Sequence, residues 1–197
     1  MILQKLIRSN RENPFKPYGP GSADHNLNAA GNWLARRNQP SMLFRGNPNT
    51  YAVANVGARG VALNRSADFW ASPKAWQAKH YNERWFSTRS PVGLLHHEIG
   101  HTKDQSSSRR RGRDAWGALL PGVKMPRQLR NRIASIGNRV SGYAGTSPME
   151  FIAETYAGLR TGHRYDRQVM ALYRDLQGPG GRARRVRSRR RRPGNIP

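Results

Sequence analysis

The sequence predicts an α+β domain: a small, mostly antiparallel sheet packs on one helix, and further helices form a C-terminal lobe. Three observations predict it. Two β-branched or apolar runs, TYAVANV (50–56) and GVALN (60–64), lie close together. Apolar residues recur at helical intervals in two later segments, at Val92, Leu95 and Ile99 and at Leu129, Ile133, Ile136 and Val140. The length, 197 residues, suits one domain with a real core.

Taken in order, NRENPFKPYGPGSAD (10–24) carries three Pro and two Gly and is expected to be an extended arm. HNLNAAGNWLARRN (25–38) predicts a short helix with Leu27, Ala30 and Leu34 on one side. The runs at 50–56 and 60–64, joined through Gly57 and Gly60, read as a hairpin or two neighbouring strands. The aromatics Phe69, Trp70, Trp76, Trp85 and Phe86 read as core filling. In STRSPVGLLHHEIGHTK, Ser90 followed by Pro91 predicts a helix start. Val92, Leu95 and Ile99 give that helix a buried stripe.

DQSSSRRRGRD (104–114) is polar and predicts a surface loop. MPRQLRNRIASIGNRV (125–140) places Leu129, Ile133, Ile136 and Val140 on one helical face, with its arginines largely elsewhere. TSPMEFIAETYAGL (146–159) is a helix with Ser-Pro at its start, and YDRQVMALYRDLQ (165–177) is the last helix. From Gly178 onward the chain is rich in Gly, Pro and Arg and predicts disorder. The expected division is an extended basic arm and short helix over 1–45, a folded domain over 46–178, and an Arg-rich tail over 179–197.

The composition narrows the chemistry. Lys and Arg total 35 against 11 acidic residues, a formal charge of +24. Such a charge favours nucleic acid, anionic membrane surfaces or acidic proteins as neighbours. There is no cysteine, which excludes disulfides, Cys-type zinc sites and thiol catalysis. The opening MILQKLIRSN lacks the long apolar core of a signal peptide, and no run approaches the roughly 18 apolar residues of a membrane span. A soluble protein not exported by the usual route is expected.

GLLHHEIGHTKD (93–104) carries the most specific chemistry. On a helix, His97 and His101 project from one face and can place two imidazole nitrogens on one metal ion. Glu98 is offset toward the open coordination position, where a carboxylate can take the proton of a water that zinc acidifies. Gly100 costs helix propensity, so a close approach of backbone or substrate is expected there. His96 points elsewhere and reads as packing or surface.

Catalytic zinc usually has three protein ligands. Ser107 occupies the position where a metzincin has its third ligand. Asp104 reads as a cap or surface charge, and His163 lies in a turn-like stretch. Glu150 and Glu154 stand at i and i+4 on a second helix, which suits one ligand and one group holding a histidine N–H. Glu150 also fits a capping box with Ser147. Tyr143, between Gly142 and Gly145, can simply pack over a turn.

HEIGH, followed roughly 40–50 residues later by YAGTSPMEFIAETYAGL, resembles the anthrax lethal factor type of zinc metallopeptidase. This is a Glu-zincin group with related domains in bacterial toxins and phage-encoded proteins. The matching residues are His97, Glu98, Gly100, His101, Tyr143, Glu150, Ala153 and Glu154. The resemblance covers roughly residues 50–160 and departs from the pattern at Pro148 and Ile152. It implies a zincin-like fold, Zn2+ held by His97, His101 and Glu150, and Glu98 as base. It further implies Tyr143 as oxyanion donor, Glu154 in support, and a protein or peptide substrate. Nothing matches the other domains of a secreted toxin.

A different class of function stays open: a basic nucleic-acid-associated or phage virion structural protein in which the zincin core is non-catalytic or accessory. Arg109, Arg110, Arg111, Arg182, Arg184, Arg185, Arg187, Arg189, Arg190, Arg191 and Arg192 motivate it, because arginine runs bind phosphate without sequence preference. The expected location is cytoplasmic, or virion-associated if phage-encoded.

Overall fold

A computed structural model describes residues 22–55, 60–109 and 125–180. Helix α1 (Ala23–Ala35) is capped by the Ser22 hydroxyl, which accepts from the His25 N–H. It therefore takes in the last two residues of the expected extended arm. Leu27, Ala30 and Leu34 are buried along one side, as their spacing predicts.

Three short strands follow: β1 (Ser41–Phe44), β2 (Ala52–Asn55) and β3 (Gly60–Asn64). The spatial order is β1-β3-β2, with β3 parallel to β1 and antiparallel to β2. The sheet is therefore mixed, with one parallel and one antiparallel pairing. Strand β1 is an addition to the expected pair, because four residues are too few for alternation to declare itself. Strand β3 is buried throughout, whereas β2 forms an edge.

Asn64, fully buried, organises the loop that leads into β2. Its Nδ2 donates to the carbonyls of Asn47 and Thr50 at 2.8 and 2.7 Å. Its Oδ1 accepts from the N–H groups of Gly46 and Ser66, each at 3.0 Å. The amide thus uses its whole hydrogen-bonding capacity on backbone.

A 3-10 turn (Asp68–Ala71) and α2 (Pro73–Asn82) carry the aromatic segment. Phe69, Trp70 and Phe86 are buried, and Trp76 packs against the same core. Trp85 is the correction: it is 45 % exposed.

Helix α3 spans Gly93–Arg109. It begins after Ser90-Pro91, which form the turn into it; the Gly93 N–H donates to the Ser90 carbonyl at 2.8 Å. It also runs through residues 104–109, where a loop was expected, and the rest of that stretch lies outside the described residues. Asp104 is buried, which overturns its reading as a cap or surface charge.

Helices α4 (Arg127–Gly137), α5 (Pro148–Arg160) and α6 (Arg167–Asp175) build the second lobe. A short 3-10 turn, Tyr143–Gly145, precedes α5. Ile133, Phe151, Ile152, Val169, Leu172 and Tyr173 form its core. A first core joins α1, the sheet, the aromatic segment and α3, and Tyr156 packs against both.

The two lobes meet mainly where α3 lies on α5. Gly100 lets them do so. A Cβ there would stand 3.0 Å from the Ala153 Cα and 3.4 Å from the Tyr156 Cβ, so the expected close approach is one of backbone on backbone. The arm over residues 10–21 and the tail from residue 181 lie outside the described residues. The tail arginines (Arg182 to Arg192), Arg110 and Arg111 lie there too.

Candidate active site

The α3–α5 contact brings together residues that are about 50 positions apart in the chain. Helix α3 presents His97 and His101 one turn apart on the side facing α5. On α5, Ser147 caps the helix by accepting from the Glu150 N–H at 3.2 Å. The Glu150 carboxylate does not fold back to complete a capping box. It reaches across to α3.

His97 Nε2, His101 Nε2 and Glu150 Oε2 form a nearly equilateral triangle. The sides are 3.0 Å between the histidines and 3.1 and 3.2 Å from each to Glu150. Ligands about 2.0–2.1 Å from a tetrahedral zinc stand roughly 3.3 Å apart. The triangle is close to that size.

The donor chemistry fits a cation as well. His97 Nδ1 lies 2.7 Å from Glu154 Oε1, so it donates its proton there and leaves a lone pair on Nε2. Glu150 Oε2 is buried and faces the two imidazole Nε2 atoms. Three lone-pair atoms thus converge on one point, which only protons or a cation can satisfy. His97, His101 and Glu150 are a cluster able to hold a metal ion among the described residues. With Glu98 beside His97, this is the metal-binding arrangement of an HExxH Glu-zincin.

Glu154 is itself fully buried and firmly held. Its Oε2 accepts from the Ser87 N–H at 2.6 Å and the Ser141 hydroxyl at 3.2 Å. The Ser87 hydroxyl donates to the Glu154 carbonyl at 2.8 Å.

In the metal-free protein the electrostatics are those of a trapped proton. Burial opposes charge on His97, but hydrogen bonds to Glu150 and Glu154 outweigh it and lift its pKa to about 10. Burial likewise opposes charge on Glu150, yet His101 and His97 hold its pKa down to about 2. Glu98 is buried, and burial raises its pKa despite the nearby histidines and a hydrogen bond from the Ala54 backbone. That bond ties the carboxylate to edge strand β2.

Tyr143 faces the cluster. Its ring stacks on His97 at 5.5 Å and on Trp85 at 5.4 Å. Its N–H donates to the Trp85 carbonyl at 3.1 Å. Burial first, and then the Glu150 and Glu98 carboxylates, push its pKa up. The phenol therefore remains a proton donor at neutral pH.

A cleft of about 540 Å3 opens over His97, Glu98, His101, Tyr143 and Glu150. Its walls are β2 and an aromatic series that includes Tyr51, Trp76, Trp85 and Phe86. Val53 and Trp85, the exposed large hydrophobics among the described residues, both line it. No Lys or Arg does.

His163 lies elsewhere, beside Tyr81 and Tyr165, and is no part of the cluster. His96 is buried against Trp33 at 4.8 Å, the packing role expected of it. Sequence reasoning missed Trp85 as a cleft residue and missed Ser87 and Ser141 as partners of Glu154. No periodicity marks such residues; only the fold brings them to the site.

Comparisons with protein-family models, with curated proteins and with solved structures found no match for this chain. Its function is therefore argued from the site alone.

Proposed function

We propose that this protein is a zinc-dependent metalloendopeptidase of the lethal-factor-like Glu-zincin group. The observation that carries the reading is the triangle of His97, His101 and Glu150 ligand atoms, 3.0 to 3.2 Å on a side. Zn2+ held there would supply Lewis acidity, polarising the scissile carbonyl and acidifying water.

The chain's own residues do the rest. Glu98 takes a proton from the attacking water and returns it to the leaving amine as the C–N bond breaks. The Tyr143 hydroxyl donates to the oxygen that gains negative charge. Glu154 holds the His97 ring in the tautomer that leaves Nε2 free to bind. An extended peptide can lie along the free edge of β2, where its backbone finds hydrogen-bonding partners. The peptidase unit in this reading is residues 46–178, to which the helix and strand of 23–44 add packing; 179–197 is a tail.

The test is zinc content and peptide cleavage on purified protein. Glu150→Ala is expected to lose zinc, and Glu98→Gln to keep zinc and lose cleavage. A Glu98→Gln protein with full activity would rule out this mechanism.

A second reading concerns partners. The charge of +24 and the eight arginines between Arg182 and Arg192 favour attachment to nucleic acid or another polyanion, which would bring the peptidase to proteins bound there. Affinity for DNA that is independent of salt, or unchanged on removal of the tail, would count against it. Among the described residues, no helix is long and apolar enough to cross a membrane.

A further inference from the structure

A second cavity, of about 490 Å3, lies where the end of α2, the end of α4 and the α5–α6 connection meet. Among the described residues, Phe86 alone borders both this cavity and the cleft. Arg84, Arg139, Arg164 and His163 line it, and among the described residues no Asp or Glu does. The Arg139 guanidinium is held by Asp166 at 2.6 Å and also meets Gln168. Arg84 and Arg164 have no carboxylate partner within 4.0 Å among the described residues.

Two further features fix the site. Arg84 has φ +58°, a left-handed backbone that arginine seldom adopts. Its carbonyl accepts from the Gly142 N–H at 2.7 Å, which anchors it. Tyr165 forms part of the wall, its hydroxyl buried beside the Ser87 side chain. It packs on α5 at Gly158, where a Cβ would collide with it.

We propose that this cavity binds a phosphate group, with Arg84 and Arg164 as its charged partners. Two guanidiniums without counter-charges match the two charges of a phosphate dianion. The guanidinium fork also matches its oxygen geometry. The volume admits more than the phosphate alone and suits a small-molecule ligand. The His163 and Tyr165 rings, 6.3 Å apart and 20° from parallel, offer flat faces to whatever carries the phosphate. This site is independent of the metal cluster and of the peptidase reading.

The experiment is calorimetric titration of the full chain with inorganic phosphate and, separately, with a nucleoside monophosphate. One saturable site per chain is expected. Arg164→Ala, at an exposed side chain, should weaken binding by about tenfold or more, the worth of a charge-assisted hydrogen bond. Arg130→Ala, on the basic outer face of α4, should leave it unchanged. Tighter binding of the nucleoside monophosphate identifies a nucleotide as the source; equal binding identifies free phosphate. Absence of a saturable site, or equal losses in Arg130→Ala and Arg164→Ala, overturns the proposal, because attraction would then be diffuse.

Discussion

Glu150 is capped through its backbone and points its side chain at two histidines. Its sequence position supports both roles, and the structure shows Ser147 supplying the cap while the carboxylate goes to α3. The trapped proton gives a sharp test at this scale. With pKa values near 10 for His97 and 2 for Glu150, the metal-free cluster at pH 8 holds a proton on His97 and none on Glu150. Zinc must expel that proton, so its uptake at pH 8 should release about one proton per ion. An unperturbed histidine would release almost none. A pH-indicator titration in weak buffer reads the difference.

Stability of the metal-free protein follows the same pair. His97 is raised from 6.5, so its contribution is fully present below that value and is lost as pH rises through about 10. Glu150 is depressed from 4.5, so its contribution is present above that value and is lost as pH falls toward 2. Under the proposed mechanism, Glu98→Gln should lower kcat by about 10²–10⁴-fold with zinc retained. Tyr143→Phe should lower kcat by about 10²–10³-fold with little change in KM, as for loss of one oxyanion donor.

At the scale of elements, the site is a product of how closely α3 approaches α5. Gly100 sets that distance, and its nearest neighbours across the contact are Ala153 backbone atoms that cannot turn aside. Gly100→Val should destabilise by about 1–3 kcal/mol through overpacking, read by urea unfolding, and should weaken zinc binding too. A variant that keeps both would mean the helices have slack. Asn64 plays the corresponding part for the sheet, since three hydrogen bonds to backbone hold the loop before β2 and a fourth holds the turn after β3. Asn64→Ala should cost at least about 1–3 kcal/mol, because buried backbone groups lose their partners. The helix periods and the Ser147-Pro148 start were legible in sequence. The start of α3 was not, because Ser90-Pro91 supports a turn as readily as a cap. Its continuation to Arg109 was hidden by polar residues that say nothing about where a helix stops.

For the whole molecule, a metal ion held by His97, His101 and Glu150 would link two lobes with separate cores, two ligands coming from α3 and one from α5. Zinc that binds only the folded form adds stability by mass action, about 4 kcal/mol at a thousandfold excess over Kd. Chelation should therefore lower Tm in the wild type and leave Glu150→Ala unmoved. The sequence by itself determined the α+β class, the pairing of His97 with His101 and the placing of Glu150 and Glu154 on one helix face, because helical period and residue chemistry are local properties. Only the tertiary structure decided that Glu150 meets both imidazoles, that Trp85 opens to the cleft, and that Ser87 and Ser141 anchor Glu154. Those contacts join residues far apart in the chain, and their distances depend on how two helices pack, a quantity that no local pattern encodes.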